Sequence, residues 1–188
     1  TGDDPKTGDQ PDAKPVFDYN SAQVLSLAAE MRDNGVIPSG REINHPPNFF
    51  LGAADVPQDP GPKWSPEGLI KKADAGAQFV QTQFCFDIEI TRRYFERLAC
   101  EGLSQRLSFL VGIGPIASAR SARWMVENLW GVSIPEPVIE RLENADDPKA
   151  EGRAICKELI AEFRKIEGIA GVHIMAPAQS AAAISTLM

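Results

Sequence analysis

The sequence predicts an α/β fold of the TIM (β/α)8-barrel type, with about the C-terminal half of the barrel, four strands and their helices, in this chain. Three observations lead there. Short apolar runs of strand length alternate with amphipathic helical segments from end to end, the pattern of right-handed βαβ units around a parallel sheet. The strand-like runs are nearly continuous in apolar residues, as strands buried on both faces are. Four such runs are half of the eight that a barrel of roughly 250 residues needs. Thr1-Gly2-Asp3 reads as a loop leaving a strand upstream. A half-barrel alone would expose two sheet edges. The expectation is therefore one domain over residues 1–188, completed by an N-terminal half upstream or on another chain.

Each element has a local cause. Residues 1–15 are rich in Gly, Asp, Pro and Lys and read as loop. From Ser21 to Asn34, Val24, Leu25, Leu27, Ala28 and Met31 recur at helical spacing, and Gly35 supplies a stop. Asn48 to Ala53, around Phe49-Phe50-Leu51, predicts a buried strand closed by small residues. Ser65-Pro66-Glu67 starts a helix with a hydroxyl, a first-turn proline and an acid at the positive dipole end; Gly76 ends it. Phe79 to Phe86 is the next strand, and Asp87 caps a helix that stops at Gly102. Leu107 to Ile113 is a third strand, followed by a helix from Ser118 to Trp130. Ile134-Pro135-Glu136 opens a short helix, and Asp147-Pro148 a long one that reaches Gly168. Val172 to Met175 is the fourth strand, and Ser180 to Leu187 a closing helix.

Composition narrows the function. With 43% hydrophobic and 24% charged residues, the 188-residue chain has the make-up of a water-soluble globular protein. No apolar run approaches the roughly 20 residues that span a bilayer. A formal charge of −7 argues against nucleic acid, whose phosphates need a concentrated basic face. Arg92, Arg93, Arg120 and Arg123 are interspersed with acids and read as solvated helix faces. Cys85, Cys100 and Cys156 are odd in number and widely spaced, without a Cys-x-x-Cys pair. They suggest neither a disulfide framework nor zinc, and a reducing cytoplasm is the natural setting.

Active sites of this fold lie at the C-terminal ends of the strands. Strict alternation along Phe79–Phe86 puts Phe79, Gln81, Gln83 and Cys85 on one face, and Val80, Thr82, Phe84 and Phe86 under the helices. Gln81 and Gln83 would then be amides inside the barrel. A buried amide without partners costs roughly 1–3 kcal/mol, so they must meet protein, water or a polar ligand. Gln83 is thus either a ligand contact or a structural amide. Asp3, in a Gly-flanked loop, is either a ligand-holding carboxylate or a turn residue. His173, inside a strand, reads first as a satisfied barrel-layer histidine. With only His45 elsewhere there is no basis for a metal site or a histidine triad. Gly112-Ile113-Gly114-Pro115 follows a strand and could cradle a phosphate, but lacks the full dinucleotide spacing. Trp64, Trp124 and Trp130 read as packing anchors.

Several segments, in order, resemble methylenetetrahydrofolate reductase. They are Thr1-Gly2-Asp3, Val16-Phe17-Asp18, Lys71 to Ala77 (KKADAGA), Thr82 to Asp87 (TQFCFD), Gly112 to Pro115, Ile134-Pro135-Glu136, Asp147-Pro148 to Gly152, and Gly171 to Met175. The Asp-Ala-Gly-Ala block followed by Thr-Gln and Phe-Asp is the specific part. The resemblance implies a cytoplasmic flavoprotein of one-carbon metabolism and methionine supply, with FAD at the barrel mouth and NADH or NADPH as electron donor. It would reduce 5,10-methylenetetrahydrofolate to 5-methyltetrahydrofolate. By matched motif, Asp3 would be catalytic and contact both folate and flavin, stabilising the cationic form of the substrate. Gln83 would bind the pterin. Gly2, Asp3 and Lys72 would bind the cofactor, Lys72 as a point charge near phosphate. Such enzymes' proton-donating glutamate would lie upstream of Thr1, so the fragment alone is expected to be inactive. A homo-oligomer, or association with the missing half, is the expected assembly. Two departures stand out. The family's Tyr-Pro-x-x-His-Pro is replaced by Gly52-Ala53-Ala54-Asp55-Val56-Pro57, and its Asn-Arg beside the folate by Ala178-Gln179. The alternatives are a flavin-independent folate-binding relative and a barrel-completing subunit without reductase activity.

Overall fold

The computed structural model describes residues 5–8, 10–176, 184, 185 and 187. The predicted closing helix falls largely outside them. The chain forms two compact units, residues 1–53 with 67–78, and residues 54–66 with 79–188.

The first unit is built on α1 (Ser21–Asp33) and α2 (Glu67–Asp74). A reciprocal capping box starts α1: Asn20 Oδ1 accepts from the Gln23 N–H at 2.9 Å, and the Asn20 N–H donates to Gln23 Oε1 at 2.8 Å. The predicted strand over Asn48–Ala53 is displaced. Strand β1 is Gly52–Asp55, and Phe49 and Phe50 are 42% and 67% exposed. Apolar character marked the run, but the ladder begins where backbone partners exist, and only Leu51 of the three is buried. Gln78 holds Leu51 in place: its N–H donates to the Leu51 carbonyl at 2.8 Å, and its Oε1 accepts from the Leu51 N–H at 3.1 Å and from Arg32 Nη1 at 2.9 Å.

The second unit carries β2 (Phe79–Phe84), α3 (Ile88–Cys100), α4 (Leu103–Arg106), β3 (Ser108–Ile113), α5 (Ala119–Asn128), α6 (Glu136–Glu143), α7 (Pro148–Phe163) and β4 (Ile169–Ile174). The sheet order is β1-β2-β3-β4, with β2/β3 and β3/β4 parallel. The strand–helix alternation is therefore that of an α/β fold. The predicted cap at Asp87 is in place, its Oδ1 accepting from the Glu89 and Ile90 N–H groups; at the predicted starts of α5 and α7, Ser118 Oγ accepts from the Ser121 N–H and Asp147 Oδ1 from those of Lys149 and Ala150. Helix α4 was not foreseen; four residues give too short a pattern to read.

Register defines two sheet faces. Val80 and Phe109 are partners, both fully buried with Val111, and Phe95 of α3 packs edge-on against Phe109 at 5.2 Å. On the other face Gln81, Leu110 and Gly171 are in register; Gln81 is exposed and Leu110 half-buried. Buried Ile155, Cys156, Leu159 and Phe163 form the inner stripe of α7. Burial pushes the thiols of Cys85 and Cys156 up to about 11. An unfolded cysteine titrates near 8.5. The fold therefore holds these protons more tightly than the unfolded chain does. Their contribution to stability is complete below about pH 8.5 and is lost as pH rises through about 11. At pH 8, peptide mapping after alkylation of the native protein is expected to find label on exposed Cys100 and not on Cys85 or Cys156. Equal labelling of all three would refute the packing described for β2 and α7.

Candidate active site

The site is assembled at the C-terminal ends of β2, β3 and β4, and its central feature is an irregularity in β2. Gln81 is in register with Leu110, but Phe84 is in register with Gly112. Three steps along β2 match two along β3, so one extra residue is inserted at Thr82–Gln83, a β-bulge. The buried Thr82 hydroxyl stands in for the disrupted ladder. It accepts from the Gly112 N–H at 2.9 Å and donates to the Gln83 carbonyl at 2.8 Å. Pairing resumes with the Cys85 N–H donating to the Gly112 carbonyl at 2.8 Å.

The bulge corrects the predicted alternation. Phe84 is not on the Val80 face of the sheet, because it is in register with Gly112. Its ring lies on the Gly112–Gly114 side of β3, 3.1 Å from where a Gly114 Cβ would be, and stacks on Phe86 with centroids 5.5 Å apart. Gln83 is half-buried, and its Oε1 accepts from the Phe84 N–H at 3.0 Å. That bond fixes the amide's orientation, because an N–H donor must meet oxygen. With the oxygen engaged, what this amide offers is its NH2 donors.

His173 is in register with Gly112, and its Nε2 lies 2.8 Å from the Thr82 carbonyl oxygen. A carbonyl only accepts, so Nε2 carries the proton and, in the neutral ring, Nδ1 is an acceptor. Gly112 makes this reach possible. A Cβ there would stand 2.4 Å from the Thr82 oxygen, 2.7 Å from the Gln83 oxygen and 2.8 Å from Met175 Cε.

Beside the bulge is an apolar cavity of about 240 Å3, lined by Phe84, Phe86, Pro115, Trp124, Met125 and Met175 among others. Gly114 and Pro115 form part of this wall, and Gly114 is tightly packed: a Cβ on it would stand 2.0 Å from the Met175 carbonyl oxygen. Of the tryptophans read as packing anchors, Trp64 does pack, edge-on to Tyr94 at 5.2 Å. Trp124 and Trp130 are 54% and 73% exposed.

The sequence reading missed one cluster. The buried Tyr94 hydroxyl donates to Asp55 Oδ2 at the end of β1. Burial and the adjacent carboxylate push the Tyr94 phenol far above its ordinary value. Burial raises the Cys85 thiol, hydrogen bonds with Thr82 and Thr91 partly oppose that, and the Asp55 charge adds to it. The available signal was the buried stripe Thr91, Tyr94, Phe95 and Leu98 on α3, which puts a phenol where it needs a polar partner.

Of the other expected site residues, Lys72 lies half-buried on α2 in the first unit. Gly2 and Asp3 lie outside the described residues, as do Ala178 and Gln179. Among the described residues, no group of three or more His, Cys, Asp or Glu side chains could hold a metal ion, and no helix is long and apolar enough to cross a membrane.

The family model for methylenetetrahydrofolate reductase matches residues 1–188. The chain belongs to that family. Over 108 residues it is 27% identical to the 5,10-methylenetetrahydrofolate reductases of Escherichia coli K12 and Shigella flexneri, a stretch covering 56% of this chain and 36% of each relative. The match thus spans little more than a third of those enzymes. An uncharacterized protein from Clostridium thermocellum, which binds two copies of 5-methyl-5,6,7,8-tetrahydrofolic acid, superposes with a TM-score of 0.55 at 18% identity. That match covers 85% of this chain and 66% of the other; at this identity it shows the shared fold. Residues 52–60 contain no aromatic side chain and no histidine. Their two carboxylates are engaged, Asp55 by Tyr94 and Asp59 by both Arg93 Nε and Nη2 at 2.9 Å.

Proposed function

We propose that this chain forms the folate-binding part of a methylenetetrahydrofolate reductase-type active site, acting on 5,10-methylenetetrahydrofolate to give 5-methyltetrahydrofolate. The observation that carries the reading is the Gln83 amide at the bulge of β2, whose oxygen is taken by the Phe84 N–H so that its NH2 donors are left for another partner. Such donors suit the carbonyl and ring-nitrogen acceptors of a pterin. The neighbouring apolar cavity is suited to a flat aromatic system. Asp3 is proposed as the carboxylate that stabilises the cationic form of the substrate. A homo-oligomer, or association with an N-terminal barrel half, is the proposed assembly, with the enzyme in the cytoplasm.

FAD, bound through Gly2, Asp3 and Lys72 and reduced by NADH or NADPH, is the reading that family membership favours. The lack of an aromatic side chain and of a histidine in residues 52–60 favours the second reading, a relative that binds folate without flavin. One measurement separates them. The absorption spectrum of the purified intact protein is taken after incubation with FAD, then again after adding 5-methyltetrahydrofolate. A band near about 450 nm, as oxidised flavin gives, that bleaches with the folate supports the flavin-dependent reductase. A colourless protein that binds the folate supports the flavin-independent relative. A protein that binds neither refutes both.

A further inference from the structure

We propose that His173 is a positioning residue for the folate site, acting through the Thr82–Gln83 bulge to set the direction of the Gln83 amide. The inference rests on the reading of Gln83 as a folate contact. The bulge leaves the Thr82 carbonyl out of the regular ladder, and a buried acceptor without a donor is costly. His173 supplies the donor from β4, two strands away, by laying its ring across Gly112.

Each part of the device is required by another. The Thr82 side chain takes the Gly112 N–H, so that group is not available to the Thr82 carbonyl. Gly112 has no side chain to block the imidazole, and any Cβ there would collide with both bulge carbonyls. The Gln83 backbone is gripped at its carbonyl by the Thr82 hydroxyl and by the Cys85 thiol at 3.3 Å. With the Thr82–Gln83 and Gln83–Phe84 peptides each held at the carbonyl, the Gln83 side chain closes its short loop onto the Phe84 N–H, which leaves its NH2 group as the donor. Losing the His173 bond frees the bulge to relax towards a regular ladder. A one-residue relaxation of a strand turns its side chains to the opposite face.

The test is a double-mutant cycle on 5-methyltetrahydrofolate binding by the intact protein, with His173→Phe and Gln83→Ala. Phenylalanine keeps a ring over Gly112 but cannot donate. His173→Phe is expected to weaken binding about tenfold with Gln83 present, and less than about twofold in the Gln83→Ala background. His173→Gln, which retains an N–H donor of similar reach, is expected to restore binding to within about threefold of the wild type. If His173→Phe fails to fold, His173→Asn, too short to span Gly112, takes its place in the cycle. Equal losses in both backgrounds, or no rescue by glutamine, would overturn the positioning role while leaving the folate site standing. A wild-type protein that binds no 5-methyltetrahydrofolate would overturn both.

Discussion

Gly152→Ala is expected to destabilise the protein by about 3 kcal/mol, a large effect for one methyl group. Gly152 sits in the second turn of α7, and its missing side chain is where the loop after β3 passes. A Cβ there would stand 1.8 Å from the Ile116 carbonyl oxygen and 2.9 Å from its carbon. Both atoms are backbone, so no side-chain rotation relieves the clash, and α7 must withdraw from the loop. The buried face of α7, with Ile155, Cys156, Leu159 and Phe163, would be pulled away with it. Alanine's better helix propensity returns only about 1 kcal/mol. The same change at Gly68, exposed on α2 with nothing within 4 Å of the added carbon, is a matched control expected to be neutral or slightly stabilising. Thermal melts of the two variants decide the matter. For a chain of this size, about 3 kcal/mol corresponds to a fall in Tm of roughly 6–12 °C. A Gly152→Ala protein melting with the wild type would show that α7 does not approach Ile116 as closely as described.

Gln83→Ala is expected to weaken 5-methyltetrahydrofolate binding roughly 5- to 150-fold, about 1–3 kcal/mol, by removing donors that the ligand would otherwise meet. Stability is expected to fall far less, because Gln83 is half-buried and its described side-chain bond is to the adjacent Phe84 N–H. Gln83→Glu sharpens the test. A carboxylate still accepts from the Phe84 N–H but turns an acceptor toward the ligand. If the donors matter, glutamate is at least as damaging to binding as alanine while preserving the local structure. Isothermal titration of both variants, alongside thermal melts, reads the two effects separately. Unchanged binding with a lowered Tm would make Gln83 a structural amide, the other role its position in the strand allows.

Much of the scaffold was legible because its causes are local. Helix starts at Ser118 and at Asp87 and Asp147 depend on side chains reaching N–H groups two or three residues on. The alternation of strand and helix is likewise written in hydrophobic period, and it predicts the α/β class without knowledge of any partner strand. Phe49 and Phe50 show the limit of that signal. Their apolar character predicts burial, yet which residues of an apolar run enter a sheet depends on where the neighbouring strand offers hydrogen bonds.

The site lies beyond the same limit. TQFCFD lies on the strand that carries the bulge, but period-2 alternation assumes a regular ladder and therefore put Phe84 on the wrong face. The bulge exists because the Thr82 hydroxyl meets a backbone N–H 30 residues away and its carbonyl a histidine 91 residues away. Asp55 and Tyr94, 39 residues apart, are joined in the same way. The sequence by itself determined the alternation of strand with helix and the starts of the longer helices, since those energies act within a turn or two of chain. Only the tertiary structure decided the register of β2 on β3, the aim of Gln83 and the partner of His173. Those depend on which distant backbone groups are left to be satisfied once the strands are side by side.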